Sequence, residues 1–327
     1  MTIKITKLLL LWFAVQIVPK CCGLSLIDSK FQQTRRDVTF GLLSKACTIV
    51  PVISSLTLQS EEANAASSNG NPTNAKFVNN SGLAAKLSRR DPAALKNSVF
   101  NIPPSAQIYP EFMRGNWEVS LKFSGYLFPS ERISKEAITS NVNIPGFQKC
   151  SIAEIADVGR EQTVFQWKID EVTGLEDRSF NMANSINSHL GYGAVESISY
   201  DGSSNPNRMT INFDRYKTRN AERIELFFNG RESELVPNPS NNDVSIFVCS
   251  EYTRQVTFSL SQEFGVARQV VGNYAHFWTW KQQPNDTNLM TGNILTACYL
   301  DPQDSQFFNE PSKPVAIYSH QITAKKI

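Results

Sequence analysis

The sequence predicts a mainly β protein whose body is an antiparallel barrel of about eight to ten strands, preceded by short helices. Residues 117–124 alternate without a fault between apolar and polar side chains, as the residues of a half-buried strand do. About ten similar segments follow, with turn residues and no long helix between them, which indicates antiparallel connections. Closing such a sheet removes its exposed edges, so we expect a closed or nearly closed barrel.

A first targeting signal occupies residues 1–23. Lys4 and Lys7 precede the short apolar run of residues 8–15, and small residues follow from Cys21 to Gly23. A basic start, a short apolar core and a small-residue end are typical of a secretory signal peptide of the endoplasmic-reticulum type. The apolar run is shorter than a membrane span requires.

A second signal follows in residues 24–65. Arg35 and Arg36 precede the apolar stretch of residues 38–58, and an Ala-x-Ala processing site ends at Ala65. This pattern predicts a plastid transit peptide with a twin-arginine signal, and a membrane anchor over residues 38–58 is the alternative. The two signals in series resemble the presequences of thylakoid-lumen proteins in algae with complex plastids. That resemblance implies a location in the thylakoid lumen of the chloroplast.

The next segments connect the signals to the barrel. Residues 66–82 are rich in Ser, Asn and Gly and are interpreted as a flexible linker. Residues 83–106 are a predicted helical extension, because Leu83, Leu87 and Leu95 recur near helical spacing. Asp91 and Pro92 suit the N-cap and the first position of a second short helix. The barrel domain then spans residues 107–327.

The barrel strands are predicted from alternating side chains between turn residues. After the first strand we expect strands at residues 147–156, 163–170, 177–190, 194–200, 208–216, 222–228, 244–251, 253–260, 267–281, 289–300 and 314–323. Asn229 and Gly230, directly after one of them, form a strong hairpin signal.

The composition gives no reason to expect nucleic acid, a metal or a cofactor. The formal net charge is +2, so no strongly charged partner is implied. Cys150, Cys249 and Cys298 have no metal-ligand spacing; one disulfide with a free thiol and three buried thiols are both open. We find no nucleotide-binding, serine-hydrolase or zinc-protease motif, so an enzyme is the less favoured class.

Several long segments of the body carry a family resemblance. They are residues 87–110, 111–119, 145–152, 171–181, 216–226, 249–257, 271–280 and 312–320. Together they resemble a plant and algal chloroplast protein family of unknown function, with cyanobacterial relatives, which implies an association with thylakoids but no reaction. Gly115-x-Trp117 also resembles the signature of lipocalins and the wider calycins, which implies a lipocalin-like barrel.

One end of the barrel is predicted to be plugged by Trp117. Arg254 and Glu222 each share parity with the apolar residues of their strands, so both are expected to face the interior as a pair. In lipocalin-like barrels an arginine commonly packs over the indole of the Gly-x-Trp motif. The resemblance therefore implies a structural plug of Gly115, Trp117, Arg254 and Glu222, with a ligand role as the alternative. The next candidates for the arginine are Arg223 and Arg219.

The candidate ligand site is the aromatic face of residues 267–281. Tyr274, His276, Trp278 and Trp280 share parity, and an imidazole among indoles and a phenol can line an apolar pocket. A core face with one buried histidine is the alternative. If His320 also faced inward, a two-histidine metal site would still lack a third ligand.

These observations favour a thylakoid-lumen, lipocalin-like protein that binds a small apolar ligand. Carotenoid, fatty acyl and tetrapyrrole compounds are the candidates that this compartment implies. The alternative is a non-enzymatic assembly factor for photosynthetic complexes, which contacts photosystem or thylakoid membrane proteins through the helical segment and the outer loops. For an enzyme that acts on a lipid or pigment inside the barrel, fold analogy is the sole argument.

Overall fold

Nine antiparallel strands form one sheet in the computed structural model of the chain. The structure describes residues 82–97, 104–146, 162–218, 221–238, 241–259 and 269–327. The strands are β1 (Gly115–Leu127), β2 (Thr163–Ile169), β3 (Val195–Asp201), β4 (Asn205–Phe213), β5 (Arg223–Asn238), β6 (Asn241–Phe258), β7 (Gln269–Gln283), β8 (Asp286–Tyr299) and β9 (Ala316–Lys326). The predicted mainly β, antiparallel class is confirmed.

The order of the strands across the sheet is β2-β1-β9-β8-β7-β6-β5-β4-β3. The last strand in sequence, β9, lies between β1 and β8, whereas all other neighbours in the sheet are consecutive in sequence. The two edge strands, β2 and β3, do not pair with each other. Over the residues that the structure describes, the sheet is therefore not a closed barrel.

The sheet is nevertheless strongly curled. The indole of Trp167 on the edge strand β2 stacks on that of Trp280 on β7, with ring centroids 5.2 Å apart and planes inclined by 17°. In a flat sheet these strands, four positions apart, would be separated by roughly 19 Å. The curl therefore creates a concave interior face, which carries the core cluster around Trp117 and Trp280.

Short helices and 3₁₀ turns pack on both faces of the sheet. α1 (Leu83–Ser88) is followed by a 3₁₀ turn, Pro92–Ala94, and the Asp91 carboxylate accepts a hydrogen bond from the Ala93 amide (2.8 Å), as an N-cap does. Leu83 and Leu95 are buried against the convex face with residues of β6 to β9. The remaining short helices are α2 (Lys135–Ser140) and the 3₁₀ turns Glu111–Met113 and Phe307–Asn309.

The segment predicted as a strand at residues 177–190 is a helix, α3 (Arg178–Leu190). Asp177 caps its first turn by accepting a hydrogen bond from the Phe180 amide (3.1 Å). Gly191 ends it with φ 81°, a left-handed conformation that favours glycine. The strand prediction is therefore wrong, because Met182 and Ile186, four residues apart, face one core at helical spacing.

α3 contacts both edges of the sheet. On β2, the Lys168 amide donates to Asn181 Oδ1 (2.7 Å), and Asn181 Nδ2 donates to the Lys168 carbonyl (3.1 Å). Before β3, Asn187 Oδ1 accepts from the amides of Ala194 and Val195 (2.8 and 3.1 Å). Side chains of one helix thus satisfy backbone groups that a neighbouring strand would otherwise pair.

Two strands are longer than the sequence indicated. β5 continues through Asn229 and Gly230, with a register shift between Phe228 and Gly230, so the predicted hairpin turn is wrong. β6 is continuous where two strands were expected. A bulge lets a turn-like pair sit within a strand, because it absorbs one extra residue without reversing the chain.

Several predictions fall on residues that the structure does not describe. They concern the two targeting signals, the linker up to residue 81, the strand at residues 147–156, Cys150 and Arg219. In the ranges that are described, no helix is both long enough and apolar enough to cross a membrane.

Candidate functional site

The four aromatic residues predicted to share a face on β7 do so. Tyr274, His276 and Trp280 are buried, and Trp278 is half-buried. The His276 ring lies 4.9 Å from that of Tyr274 and 5.1 Å from that of Trp278. They belong to the concave face of the sheet, while their role in binding a ligand stays a prediction.

The packing around Trp117 differs from the predicted plug. Trp117 is fully buried and donates its indole N–H to the Met113 carbonyl (2.8 Å), but the cation over its ring is Lys326, 5.7 Å from the centroid. Gly115, at φ 110°, lies against the same lysine, since a Cβ there would stand 2.9 Å from Lys326 Cε. Trp117 and Gly115 therefore pack against Lys326, and a plug at this end stays a prediction.

Arg254 and Glu222 lie on the outside, so their predicted inward pairing is wrong. The Arg254 side chain is 46% exposed and lies 3.9 Å from Asp301, and Glu222 is exposed. β6 is one continuous strand whose inward positions near Arg254 are Thr253 and Gln255, which puts Arg254 at an outward position. Of the alternative arginines, Arg223 stacks over the ring of Phe258 (4.4 Å).

The interior charge is supplied by another acidic residue, Glu251 on β6. Its carboxylate accepts two hydrogen bonds from Arg178 of α3, at 2.9 and 2.8 Å. Arg231 of β5 donates to it through Nε at 2.7 Å and also through Nη2. Arg178 also lies 3.0 Å from Glu176. Two cations and two carboxylates are thus brought together from α3, β5, β6 and the loop before α3.

The charges in this ion cluster, Glu176, Arg178, Arg231 and Glu251, are well buried and balanced. The side chains are 5–14% exposed. Burial by itself raises the pKa of the Glu251 carboxyl, but the guanidinium groups of Arg178 and Arg231 outweigh burial and lower that pKa to about 2. The carboxylate therefore stays ionised at any physiological pH.

Aromatic rings surround the ion cluster. Arg178 lies 4.2 Å from the centroid of the Phe228 ring, a cation–π contact. Trp167 donates its indole N–H to Glu176 (3.3 Å) and meets Tyr109 edge-on at 5.3 Å. The cluster is thus joined to the stacked indoles of Trp167 and Trp280.

A small cavity lies between the ion cluster and the indoles. Its volume is about 60 Å³, room for roughly four to six water molecules. Trp167, Trp278, Trp280, Arg178 and Glu251 all line it. Tyr274 and His276 do not, so the structure brings only half of the predicted ligand face to this space.

A larger depression of about 390 Å³ lies at the edge of β2. It is lined by Asn116, Gln166, Trp167 and Lys168, by Phe180 of α3 and by Ile327. Trp167 lines both the depression and the interior cavity, so the two spaces adjoin at this residue. No group of three or more His, Cys, Asp or Glu residues in the described ranges has a geometry that could hold a metal ion.

Sequence reasoning missed the residues of the ion cluster. Glu251 shares parity with Phe247 and Cys249, both buried, so a charged residue at an apolar position of β6 was the available signal. Arg178 was hidden because its helix was predicted as a strand. Arg231 lies on β5 beyond the expected turn, so its strand position was not considered.

The fold and site define a class of protein with an open, curled antiparallel sheet, a helix across its two edges and a small aromatic cavity beside a buried ion cluster. Residues 102–327 match the model of a domain of unknown function, DUF6816, and the chain belongs to this family. No curated protein and no solved structure matches the chain.

Proposed function

We propose that the protein is a lipocalin-like binding protein of the thylakoid lumen that holds a small apolar ligand, a lipid rather than a pigment. The observation that carries this proposal is that Trp167 lines two spaces, an interior aromatic cavity and a depression open to solvent. A concave site with apolar walls and a few polar groups is the usual form of a small-molecule site.

The curled sheet supports the lipocalin-like part of the proposal. In this interpretation α3 takes the place of the strand pairing that would close the barrel, since it bonds to the edge of β2 and to the start of β3. The interior then corresponds to a barrel interior, with Trp117 at the end plugged by Lys326.

The volumes favour a fatty acyl chain among the three candidate ligands. Pockets for drug-sized ligands typically measure about 300–1,000 Å³. The depression, at about 390 Å³, reaches that size, whereas the interior cavity of about 60 Å³ accepts only a narrow end of a ligand. A flexible acyl chain meets both conditions, while a broad tetrapyrrole or a rigid carotenoid fits an interior cavity of this volume less well.

The charges orient such a ligand. Arg178 and Arg231 are already engaged with Glu251, so the interior favours the apolar end of the chain. Lys168 lines the depression, and its half-exposed side chain forms only a long ion pair with Asp177, at 3.9 Å. A ligand carboxylate at the other end would compete with Asp177 for this lysine. The acyl tail would thus lie against the indoles and the carboxylate near Lys168.

Binding of cis-parinaric acid, a fluorescent fatty acid, tests this arrangement. We expect saturable binding to the full-length protein, and at least tenfold weaker binding by Lys168→Glu, because the new charge repels the carboxylate. Lys122→Glu, a charge reversal at another exposed strand position, is the matched control and should bind as the wild type does. Absence of saturable binding, or equal affinities for all three proteins, would refute the proposal.

An assembly factor for photosynthetic complexes is the second candidate. The observation that favours it is the exposure of apolar side chains beside the depression, Phe180 at 37% and Ile327 at 63%. Purification from thylakoids followed by lipid extraction and mass spectrometry separates the two functions. A bound acyl compound supports the binding protein, whereas an empty protein that co-purifies with photosystem subunits supports the assembly factor.

The proposed location depends on the two signals in residues 1–65. A fluorescent protein fused to the C-terminus should accumulate inside the plastid, and protease protection in isolated thylakoids should assign it to the lumen. Fluorescence outside the plastid would overturn the proposed compartment and leave the binding proposal to stand on the structure.

A further inference from the structure

The three histidines of the chain lie on β7, β9 and α3, near enough to act on one another electrostatically. His276 on β7 and His320 on β9 are buried. His189 of α3 interacts electrostatically with His320. It also lies four residues after Ser185, which with Arg178 lines the cavity from the same helix. Histidines on two central strands and on the helix across the edges therefore form one group, the histidine cluster.

The two strand histidines are fully buried. His276 Nδ1 is 3.0 Å from the Thr296 hydroxyl. The His320 ring meets the Phe123 ring at 5.5 Å, and neither of its nitrogens has a hydrogen-bond partner among the described residues. Such a site suits a neutral imidazole and penalises a charged one.

The groups facing the histidines offer little compensation for a positive charge. The charged or titratable groups that act on His276 are Glu251 of β6 and His320 of β9. The group that acts on His320 is His189 of α3. The contacts described from β8 and β1 are Thr296 and Phe123, both uncharged. Glu251, the one carboxylate in this set, is already paired with two arginines. Protons added to the histidine cluster would therefore repel one another.

We propose that acid opens the interior by releasing α3 from the edges of the sheet, and that acidity thereby controls access to the ligand site. The first part depends on the structure alone, while the second part rests on the proposed function. α3 is the element expected to move, because its hydrogen bonds to the sheet are made by the side chains of Asn181, Asn187 and Arg178. β7 and β9, by contrast, are each held by backbone pairing with two neighbouring strands.

The size of the effect follows from the two protonation equilibria. Burial lowers the pKa of His320 to about 4, with a smaller contribution from His189. Burial also lowers the pKa of His276 to about 3, although Glu251 opposes this shift more strongly than His320 adds to it. Opening to solvent restores a pKa near 6.5. At pH 5 the open state is therefore favoured about 30-fold over its population at neutral pH for each histidine that opening exposes.

Hydrogen–deuterium exchange of the full-length protein without ligand, at pH 7.5 and pH 5.0, tests the release of α3. After correction for the intrinsic pH dependence of exchange, we expect the amides of α3 to exchange at least tenfold faster at pH 5.0. The amides of β7 and β8 should keep their protection. Unchanged exchange in α3, or equal loss of protection in α3 and β7, would overturn the proposal.

The variant His320→Gln identifies the responsible group, because glutamine stays neutral at both pH values. It should remove the roughly 30-fold contribution of His320 to the acid effect on α3 and leave protection at pH 7.5 as in the wild type. An acid effect of full size in this variant would show that His320 is not the trigger.

If the variant does not fold, NMR titration of the wild-type imidazoles keeps the proposal testable. Ordinary titration of all the histidines near pH 6.5, with α3 still protected, would refute it. If α3 opens in acid but cis-parinaric acid binds at neither pH, the result supports acid opening and refutes the proposed ligand.

Discussion

Glu251→Gln is the substitution that examines the ion cluster most directly, because glutamine keeps the shape of the side chain and removes its charge. Burial opposes ionisation of this carboxyl, yet Arg178 and Arg231 lower its pKa from 4.5 to about 2. One pKa unit corresponds to about 1.4 kcal/mol, so the variant should lose about 3 kcal/mol of unfolding free energy at pH 7.5. Removing one partner of a buried ion pair costs roughly 3–5 kcal/mol in general.

Urea denaturation followed by tryptophan fluorescence measures this loss. Glu196→Gln is the matched control, since Glu196 is exposed on the edge strand β3 and its neutralisation should change the free energy by less than about 0.5 kcal/mol. The m-values should stay equal, which would show that the folded and unfolded states are otherwise unchanged.

A double-mutant cycle with Arg178→Met separates the pair from its surroundings. Each single variant leaves a buried charge without one of its partners. The double variant should therefore lose less unfolding free energy than the two single variants lose in sum, with a coupling energy of roughly 1–3 kcal/mol. A loss of under about 1 kcal/mol for Glu251→Gln, with no coupling to Arg178, would refute the reasoning. Such a result would mean that water solvates the Glu251 carboxylate and the Arg178 guanidinium in the folded protein.

Two further predictions concern pH and backbone packing. The pKa values of His276 and His320 are lowered by burial to about 3 and about 4, so the unfolded chain binds more protons below pH 6.5 and stability must fall with falling pH. Between pH 7.5 and pH 5 the free energy of unfolding should drop by about 4 kcal/mol, and urea curves that coincide would contradict this. Gly292→Ala would place a Cβ 2.2 Å from the Thr279 carbonyl oxygen and should cost about 2–3 kcal/mol. Gly202→Ala, where the nearest atom is 3.4 Å away, should cost far less, and equal melting temperatures for the two variants would show that the β7–β8 pair adapts.

The local patterns in the sequence predicted much of the sheet. The alternation after Trp117 correctly predicted which side chains of β1 are buried. The shared parity on β7 correctly predicted that Tyr274 and Trp280 lie on one buried face. These patterns succeed because a strand with one buried face repeats every two residues. Parity fails where a strand continues through a supposed break, as at Arg254 on β6.

The ion cluster and the open sheet could not be predicted in the same way. Arg178, Arg231 and Glu251 come from a helix and two strands, and their meeting depends on how α3 crosses the edges of the sheet. Recognising Asp177 and Gly191 as helix ends was possible from the sequence. Whether β2 and β3 pair depends on the sum of twist and curl over the whole sheet, which no local pattern encodes.

The position of β9 constrains how the molecule folds. Trp117 and Val119 on β1 pair with Lys326 and Ala324 across the sheet, so the first strand finds one of its two neighbours only at the far end of the chain. Contacts of such long sequence separation slow folding, because the loop must close before they contribute. During synthesis, the hairpins from β3 to β8 are able to form early, while β1 waits with an unpaired edge. β9 joins the β2–β1 pair to the strands from β8 to β3, so loss of this strand would divide the sheet rather than trim its rim.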